Sequence, residues 1–369
     1  MTAPTRLLRA SLLWSVWVVA ASCQRLGGSG DLSSSSSSSS QSPSSSPGLA
    51  SSPVIGGDAG PVVGKRIRIG MIAKSSSNPV FLSARAGAEA AARDQSVKLG
   101  FPVQIVWLTP PREDAEVQAQ RIGQAIKEKL DAILISCSDD VRLTPAIDEA
   151  VSKNIPVMTF DSDAPRSHRF AYFGVDDRRF GATVMAELAK LIHGKGKIAI
   201  LAGNQSAPNL RKRIEGVKEE AARYPHVDIV GTFFHPETPE DAAAEVLRVM
   251  AAYPELRGWA MVGGWALFSK TLLDDPALQK IKIVAVDGLP PELRYVEKKV
   301  VPVLIAQPTF LWGNVGVMKI LDRIQSGKDV TALIPMEPVK ITVENLGDWA
   351  RQLKQWGFAD VPEEYLNLK

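Results

Sequence analysis

The chain has 369 residues, 45% hydrophobic and 22% charged, the balance of a globular protein long enough for more than one core. Its formal net charge is only +3, and two of the positive charges, Arg6 and Arg9, sit ahead of an apolar leader, so no clustered basic face and no nucleic-acid partner is expected. Cys23 and Cys137 lie in segments of different character and offer no disulfide framework, while His168, His193, His226 and His235 lack the spacing of a helical or zinc-ribbon site, so no structural metal and no cofactor is expected.

Arg6 and Arg9 precede residues 12–21 (LLWSVWVVAA), a stretch too short for a comfortable transmembrane helix but long enough for a signal-peptide core, which places a leader over residues 1–22. The run Ala20, Ala21, Ser22, Cys23 resembles a bacterial lipobox, with Ala20 where a leucine is usual. That resemblance implies lipidation of Cys23 and a membrane-anchored, exported chain, periplasmic or at the cell surface. An ordinary secretory leader is the alternative, and export follows from both. From Gly27 to about Gly60 the chain is almost all Ser, Gly and Pro, with an unbroken serine run over 33–40. Such a composition buries too little apolar surface to offset its ordering entropy, so residues 23–64 are expected to act as a flexible tether.

From Lys65 onward short apolar runs alternate with amphipathic stretches, the pattern of parallel strands joined by crossover helices. Expected strands cover 67–73, 103–108, 132–135 and 156–160, each continuous in apolar residues as strands buried on both faces are. The helical period appears between them in Ile122, Ile126 and Leu130, then in Leu143, Ile147, Ala150 and Val151. The pattern restarts after Tyr172, with strands at 198–201, 227–233, 259–262, 281–286 and 301–306 and helices on Val184, Leu188, Leu191 and Ile192, then Ala243, Val246, Leu247 and Met250. Two doubly wound α/β sheets in tandem account for this order. Ligands bind such sheets beyond the carboxyl ends of the strands. The polar groups there are Ser75, Asn78, Ser136 and Asp161 in the first half, and Gly203 with Arg211, Gly263, Gly264, Asp287 and Gln307 in the second. Asp161, Asp287 and Ser136 have an alternative use as caps of the helices that follow.

These segments resemble the periplasmic sugar-binding proteins of the ribose-binding type, whose ligand domain is shared with lac-repressor-type regulators. The resemblance rests on IGMIAKSSSNPVF (69–81), DAILISCSDD (131–140), IPVMTFDSDAP (155–165), GKGKIAILAG (194–203), VAVDGLPPEL (284–293) and LIAQP (304–308), in matching order and spacing. It implies a type I periplasmic binding fold, with a first lobe over 65–175 and 308–336, a second over 176–307 and 337–345, and hinge crossings near Val175, Gln307 and Met336. It also implies ligand-binding roles for Asn78, Phe81, Asp161, Arg211, Asp287 and Gln307. Ser136 stands where ribose-type members have an asparagine, Ser162 replaces an arginine, and VGGW around Trp265 replaces an asparagine–aspartate pair, departures that point away from ribose itself. Phe81, Trp265 and Trp312 are candidates to cover the C–H face of a sugar, with core packing as the alternative for the tryptophans.

The function implied is capture of a monosaccharide, pentose or hexose, by a monomeric lipoprotein that hands it to an ABC transporter permease. The alternatives are a receptor read by a sensor kinase or chemoreceptor, or a binder of a nucleoside or autoinducer. No enzyme motif appears: GGSG at Gly27 lies in the tether, and GKGK at Gly194 lacks P-loop spacing. A transcription regulator needs a helix-turn-helix where this chain has a leader and tether. Cys137 reads as an unpaired thiol near the cleft. Residues 346–369, with Leu346, Trp349, Ala350 and Leu353 on one helical face, form an extension expected to pack on a lobe, with partner docking as the alternative.

Overall fold

Strands buried on both faces need helices above and below, and the alternating sequence supplies them in order. The computed structural model describes residues 65–327 and 330–368; the expected leader, Cys23 and the tether lie outside the described residues. The first sheet forms from β1 (Ile67–Ile72), β2 (Val103–Trp107), β3 (Ala132–Ile135), β4 (Val157–Phe160) and β5 (Ala171–Gly174). Helices α1 (Pro79–Leu99), α2 (Ala115–Lys127) and α3 (Asp140–Ser152) intervene. The second sheet repeats the scheme with β6 (Lys195–Ala202), β7 (His226–Phe234), β8 (Leu256–Met261), β9 (Lys282–Asp287) and β10 (Val303–Ala306), connected by α5 (Pro208–Ala221), α6 (Pro239–Ala252) and α7 (Pro290–Glu297) after the leading helix α4 (Asp177–Leu191).

The strand orders β2-β1-β3-β4-β5 and β7-β6-β8-β9-β10 are the same doubly wound order, so each lobe has one switch point, between β1 and β3 and between β6 and β8. After β10 the chain returns to the first lobe as α8 (Thr309–Ser326) and β11 (Leu333–Pro335), which pairs parallel to β5. It then adds β12 (Val339–Ile341) antiparallel to β10 on the second sheet. The backbone therefore passes between the lobes three times, after β5, β10 and β11. Helices α9 (Leu346–Gln355) and α10 (Glu363–Leu366) end the described chain, and Trp349 Nε1 donates to the Gly288 carbonyl of the second lobe at 2.6 Å.

Strands β5, β11 and β12 have no counterpart among the strands expected from sequence. They lack the continuous aliphatic run that marks the similarly short β3 and β10, and pairing to a neighbouring strand is what makes them extended. Within each lobe one helix pair meets through glycine. A Cβ on Gly87 of α1 would lie 1.9 Å from the Phe310 carbonyl oxygen of α8, and a Cβ on Gly216 of α5 would lie 1.9 Å from that of Arg178 on α4.

Gly216→Ala must therefore push α4 and α5 apart, and overpacking of this kind costs about 1–3 kcal/mol. Gly123 of α2 has nothing within 4 Å of its would-be Cβ, so Gly123→Ala should instead stabilise by about 0.5–1 kcal/mol through helix propensity. Urea unfolding of both variants checks the opposite signs.

Candidate functional site

The carboxyl ends of both sheets face one cleft, and each lobe sends an aspartate there from the end of a strand. Asp161 follows β4 and Asp287 ends β9, with backbone φ of 55° and 87°. Non-glycine residues seldom occupy that left-handed region, and such strain gathers at functional sites. Neither carboxylate is a helix cap. Asp161 accepts from Ser136 Oγ at 2.8 Å and from Asn209 Nδ2 at 3.0 Å, with Lys74 Nζ 3.6 Å away. Asp287 accepts from the Gly264 N–H and from Gln307 Nε2, both at 2.9 Å. Burial raises the Asp287 pKa, against the pull of Arg213 and those two donors.

Arg213 of α5 is the cation around which these groups are arranged. Its Nε donates to Asp177 at 2.9 Å, one terminal nitrogen to the Val262 carbonyl at 3.1 Å, and the other to Gln307 Oε1 at 3.0 Å. The same guanidinium lies 3.8 Å from Asp161 across the cleft, and over the Phe180 ring at 4.8 Å. Burial opposes its charge, yet Asp177, Asp161 and Asp287 hold its pKa above the ordinary arginine value. Asp177 is pushed up by burial to about 6 even though Arg213 pulls it down. Lys74, just past β1, donates to Asn209 Oδ1 at 2.9 Å; burial disfavours its charge, but Asp161, Glu113 and Glu237 raise its pKa. At the first switch point the buried Gln118 donates to the carbonyls of Ala73 and Ser136 at 3.0 and 2.7 Å, tying the ends of β1 and β3 together.

Of the residues expected from sequence, Asn78, Phe81, Asp161, Trp265, Asp287, Gln307 and Trp312 border one small cavity between the lobes. Asn78 also caps α1 through its side-chain oxygen, which accepts from the Val80 N–H at 3.1 Å. Phe81 packs with Trp312, their ring centroids 6.4 Å apart. The indole of Trp265 lies so close over Gly263 that a Cβ there would sit 1.7 Å from the ring, which explains the glycine in VGGW. The Nε1 atoms of Trp265 and Trp312 are both buried without an acceptor.

Two expected ligand residues stand elsewhere. Ser136 is fully buried behind Asp161 and orients it. Arg211 does not border the cavity: its side chain is 45% exposed and bridges to Asp140 of the first lobe at 2.9 Å. Two residues further along a helix is more than half a turn, which carries Arg213 to the buried face and leaves Arg211 at the rim. Lys74, Asn209, Arg213 and Glu237 also border the cavity and were not expected from sequence. The buried positions Leu210, Arg213 and Val217 share one helical stripe, the signal that singles out Arg213. Cys137 is wholly buried in apolar surroundings as a free thiol, and burial pushes its pKa far up, away from nucleophilic use.

The cavity holds about 20 Å³, room for roughly one water. The lobes are drawn together by their own bonds, including Lys74 to Asn209, Asn209 to Asp161 and Arg211 to Asp140. A second, wider hollow of about 640 Å³ opens at the cleft mouth, bordered by residues of both lobes and sharing Glu237 with the inner cavity. Among the described residues no cluster of three potential metal ligands occurs, and no helix is long and apolar enough to cross a membrane.

Comparison with known proteins places this geometry among binding proteins rather than enzymes. The profile of the periplasmic binding protein domain matches residues 69–329. The ribose import binding protein of Bacillus subtilis is 26% identical over 152 residues, 41% of this chain and 48% of that protein, so the chain spans about half the length of that relative. The ribose import binding protein of Escherichia coli is 24% identical over 284 residues, covering 75% of this chain and 90% of that one. An ABC transporter solute binding protein from Burkholderia graminis, solved in complex with D-arabinose, superposes with a TM-score of 0.70 at 26% identity, over 76% of this chain and 96% of its own.

Arg213→Ala should be strongly destabilising, by about 3–5 kcal/mol, because Asp177 is left buried and unpaired. Arg211→Ala removes only a half-exposed ion pair, worth under about 1 kcal/mol. Urea unfolding of the two variants separates the organising arginine from the rim arginine; equal losses would place the buried network wrongly.

Proposed function

The chain belongs to the periplasmic binding protein family, and from that premise we propose that it is an extracytoplasmic lipoprotein that captures a monosaccharide, a pentose or hexose, and delivers it to an ABC transporter permease. The observation that carries this reading is the pair Asp161 and Asp287, one from each lobe, buried and bordering a single cavity. Carboxylates accept from hydroxyls, while Lys74, Arg213, Asn209 and Gln307 carry donors suited to ring and hydroxyl oxygens. The unpartnered indole N–H groups of Trp265 and Trp312 ask for further acceptors, and their rings with Phe81 suit the apolar face of a sugar. The D-arabinose held by the Burkholderia protein is of this class.

A monosaccharide exceeds the present cavity, so entry requires the lobes to part and the protein's own inter-lobe bonds to exchange for bonds to the ligand. One ligand touching both aspartates then favours the closed form, the only one offering both sets of contacts.

A thermal-shift screen over D-arabinose, D-ribose, D-allose, D-galactose and D-fucose should raise the Tm with at least one sugar. Asp161→Ala and Asp287→Ala should each weaken that binding by about 2–5 kcal/mol. A response only to amino acids or phosphates, or wild-type affinity in both variants, would overturn the reading. Anchoring is tested apart from binding: Cys23→Ala should move the full chain from the membrane to the soluble fraction, and unchanged partitioning would exclude a lipid on Cys23.

A further inference from the structure

Away from the floor of the cleft, one contact between the lobes joins two acids. Glu113 precedes α2 in the first lobe, and Glu237 precedes α6 in the second. Asn204, just past β6, holds both: its backbone N–H donates to Glu237 Oε1 at 2.8 Å and its amide Nδ2 to Glu113 Oε1 at 2.8 Å. Those bonds account for one oxygen of each acid. Glu113 Oε2 is buried and meets no donor, while the Asn204 side chain and backbone bring the Glu113 and Glu237 carboxyl groups together across the cleft. Two carboxylates cannot form a hydrogen bond without a proton between them. Glu237 is held at a φ of 60°, so its backbone is fixed in a conformation that a non-glycine seldom adopts.

We propose that Glu113 and Glu237 form a proton-sharing latch between the lobes, so that closing the cleft takes up a proton and the closed form loses ground as pH rises. Like-charged carboxyl groups in contact share one proton because both cannot ionise there. Burial raises the Glu237 pKa well above the ordinary glutamate value and Glu113 adds to this, while Lys74 and the Asn204 N–H pull against it. The ammonium of Lys74 is already engaged by Asn209 and Asp161. Arg112, Asp241 and His235 border the same hollow. His235 stays neutral, its pKa lowered to about 4 by burial, and its Nδ1 accepts from the Glu237 N–H at 3.0 Å. The other buried acids raised by burial, Asp177, Asp287 and Glu292, take their hydrogen bonds from Arg213, Gly264, Gln307 and Leu289, within the second lobe and its crossing, so opening the cleft leaves those bonds in place.

In the open form the two carboxyl groups separate and no longer hold a proton between them. The closed form gains from the shared proton fully below the ordinary glutamate range, and the gain is lost as pH climbs through the raised pKa of Glu237 in the closed form. This concerns closure itself and stands whether or not the captured molecule is a sugar.

The test uses the full chain without ligand, with Cys23→Ser and spin labels on Val97→Cys of the first lobe and Lys218→Cys of the second, both exposed positions. Pulsed dipolar spectroscopy then follows the inter-lobe distance from about pH 5 to about pH 9, a span that starts above the ordinary glutamate value. The closed-to-open ratio should fall by up to about tenfold per pH unit through the window. In Glu113→Gln and in Glu237→Gln an amide N–H replaces the shared proton, and the distance distribution should no longer follow pH. A wild-type distribution that is constant across the range, or variants that follow pH as the wild type does, would overturn the proposal.

Discussion

A guanidinium taken out of water must be matched by fixed acceptors, and meeting that requirement for Arg213 organises the centre of the molecule. Its acceptors come from the start of α4 (Asp177), the residue just past β8 (the Val262 carbonyl) and the second crossing between lobes (Gln307). Gln307 passes the constraint on by donating to Asp287, and Asp161 supplies negative charge from the opposite lobe. Removing any one acceptor leaves a buried group unmatched, which is why such networks hold their geometry. The cleft is consequently lined by groups whose orientations are settled before a ligand arrives. Gly181 of α4 adds a steric limit, because a Cβ there would lie 2.0 Å from the Arg213 carbonyl oxygen, so helix packing and site geometry are one problem.

Much of this was legible in the sequence, and the reasons differ from element to element. Long apolar runs such as those of β1 and β9 declare themselves, since strands buried on both faces admit few polar residues. The strand-end aspartates were legible for the same reason: a charge directly after such a run must turn to the cleft or cap a helix, and Asp161 and Asp287 do the first. The choice among Arg211, Lys212 and Arg213 was not legible from residue type; it depends on the phase of α5, set by which face packs on the second sheet and on Gly181. Lys74 and Asn209 escaped because each matters only through the other lobe, a contact between residues 135 positions apart. The replacement of an asparagine–aspartate pair by VGGW looks like a loss of ligand contacts in sequence, but in the structure it is an exchange of polar groups for the Trp265 ring, with Gly264 turning its N–H to Asp287.

Backbone strain and the inner cavity meet at the same three acids. Asp161, Asp287 and Glu237 all have positive φ, and all three border the inner cavity. A non-glycine residue in that region costs of order 1–3 kcal/mol and persists where its surroundings over-determine it. Here the surroundings do so with hydrogen bonds: Ser136 and Asn209 for Asp161, Gly264 and Gln307 for Asp287, Asn204 for Glu237. Relaxing any of these backbones would turn a carboxylate away from its donors, so strain and electrostatics stabilise the arrangement jointly.

The closed, self-bonded cleft also bears on where ligand affinity comes from. When a hydroxyl displaces Asn209 from Asp161, or Gln307 from Asp287, one hydrogen bond is exchanged for another, and such exchanges contribute little net free energy, about 0.5–1.5 kcal/mol each. The indole N–H groups of Trp265 and Trp312 are different, because neither gives up a partner when a ligand oxygen arrives. A donor left unmatched in a buried site carries a penalty of about 1–3 kcal/mol, and a ligand that matches it removes that penalty outright. Apolar C–H surface covered by the same rings adds a contribution that no inter-lobe bond opposes. For the proposed ligand class, the apolar face presented to the Trp265, Trp312 and Phe81 rings therefore adds a means of discrimination beside the charged residues that hold the cleft together.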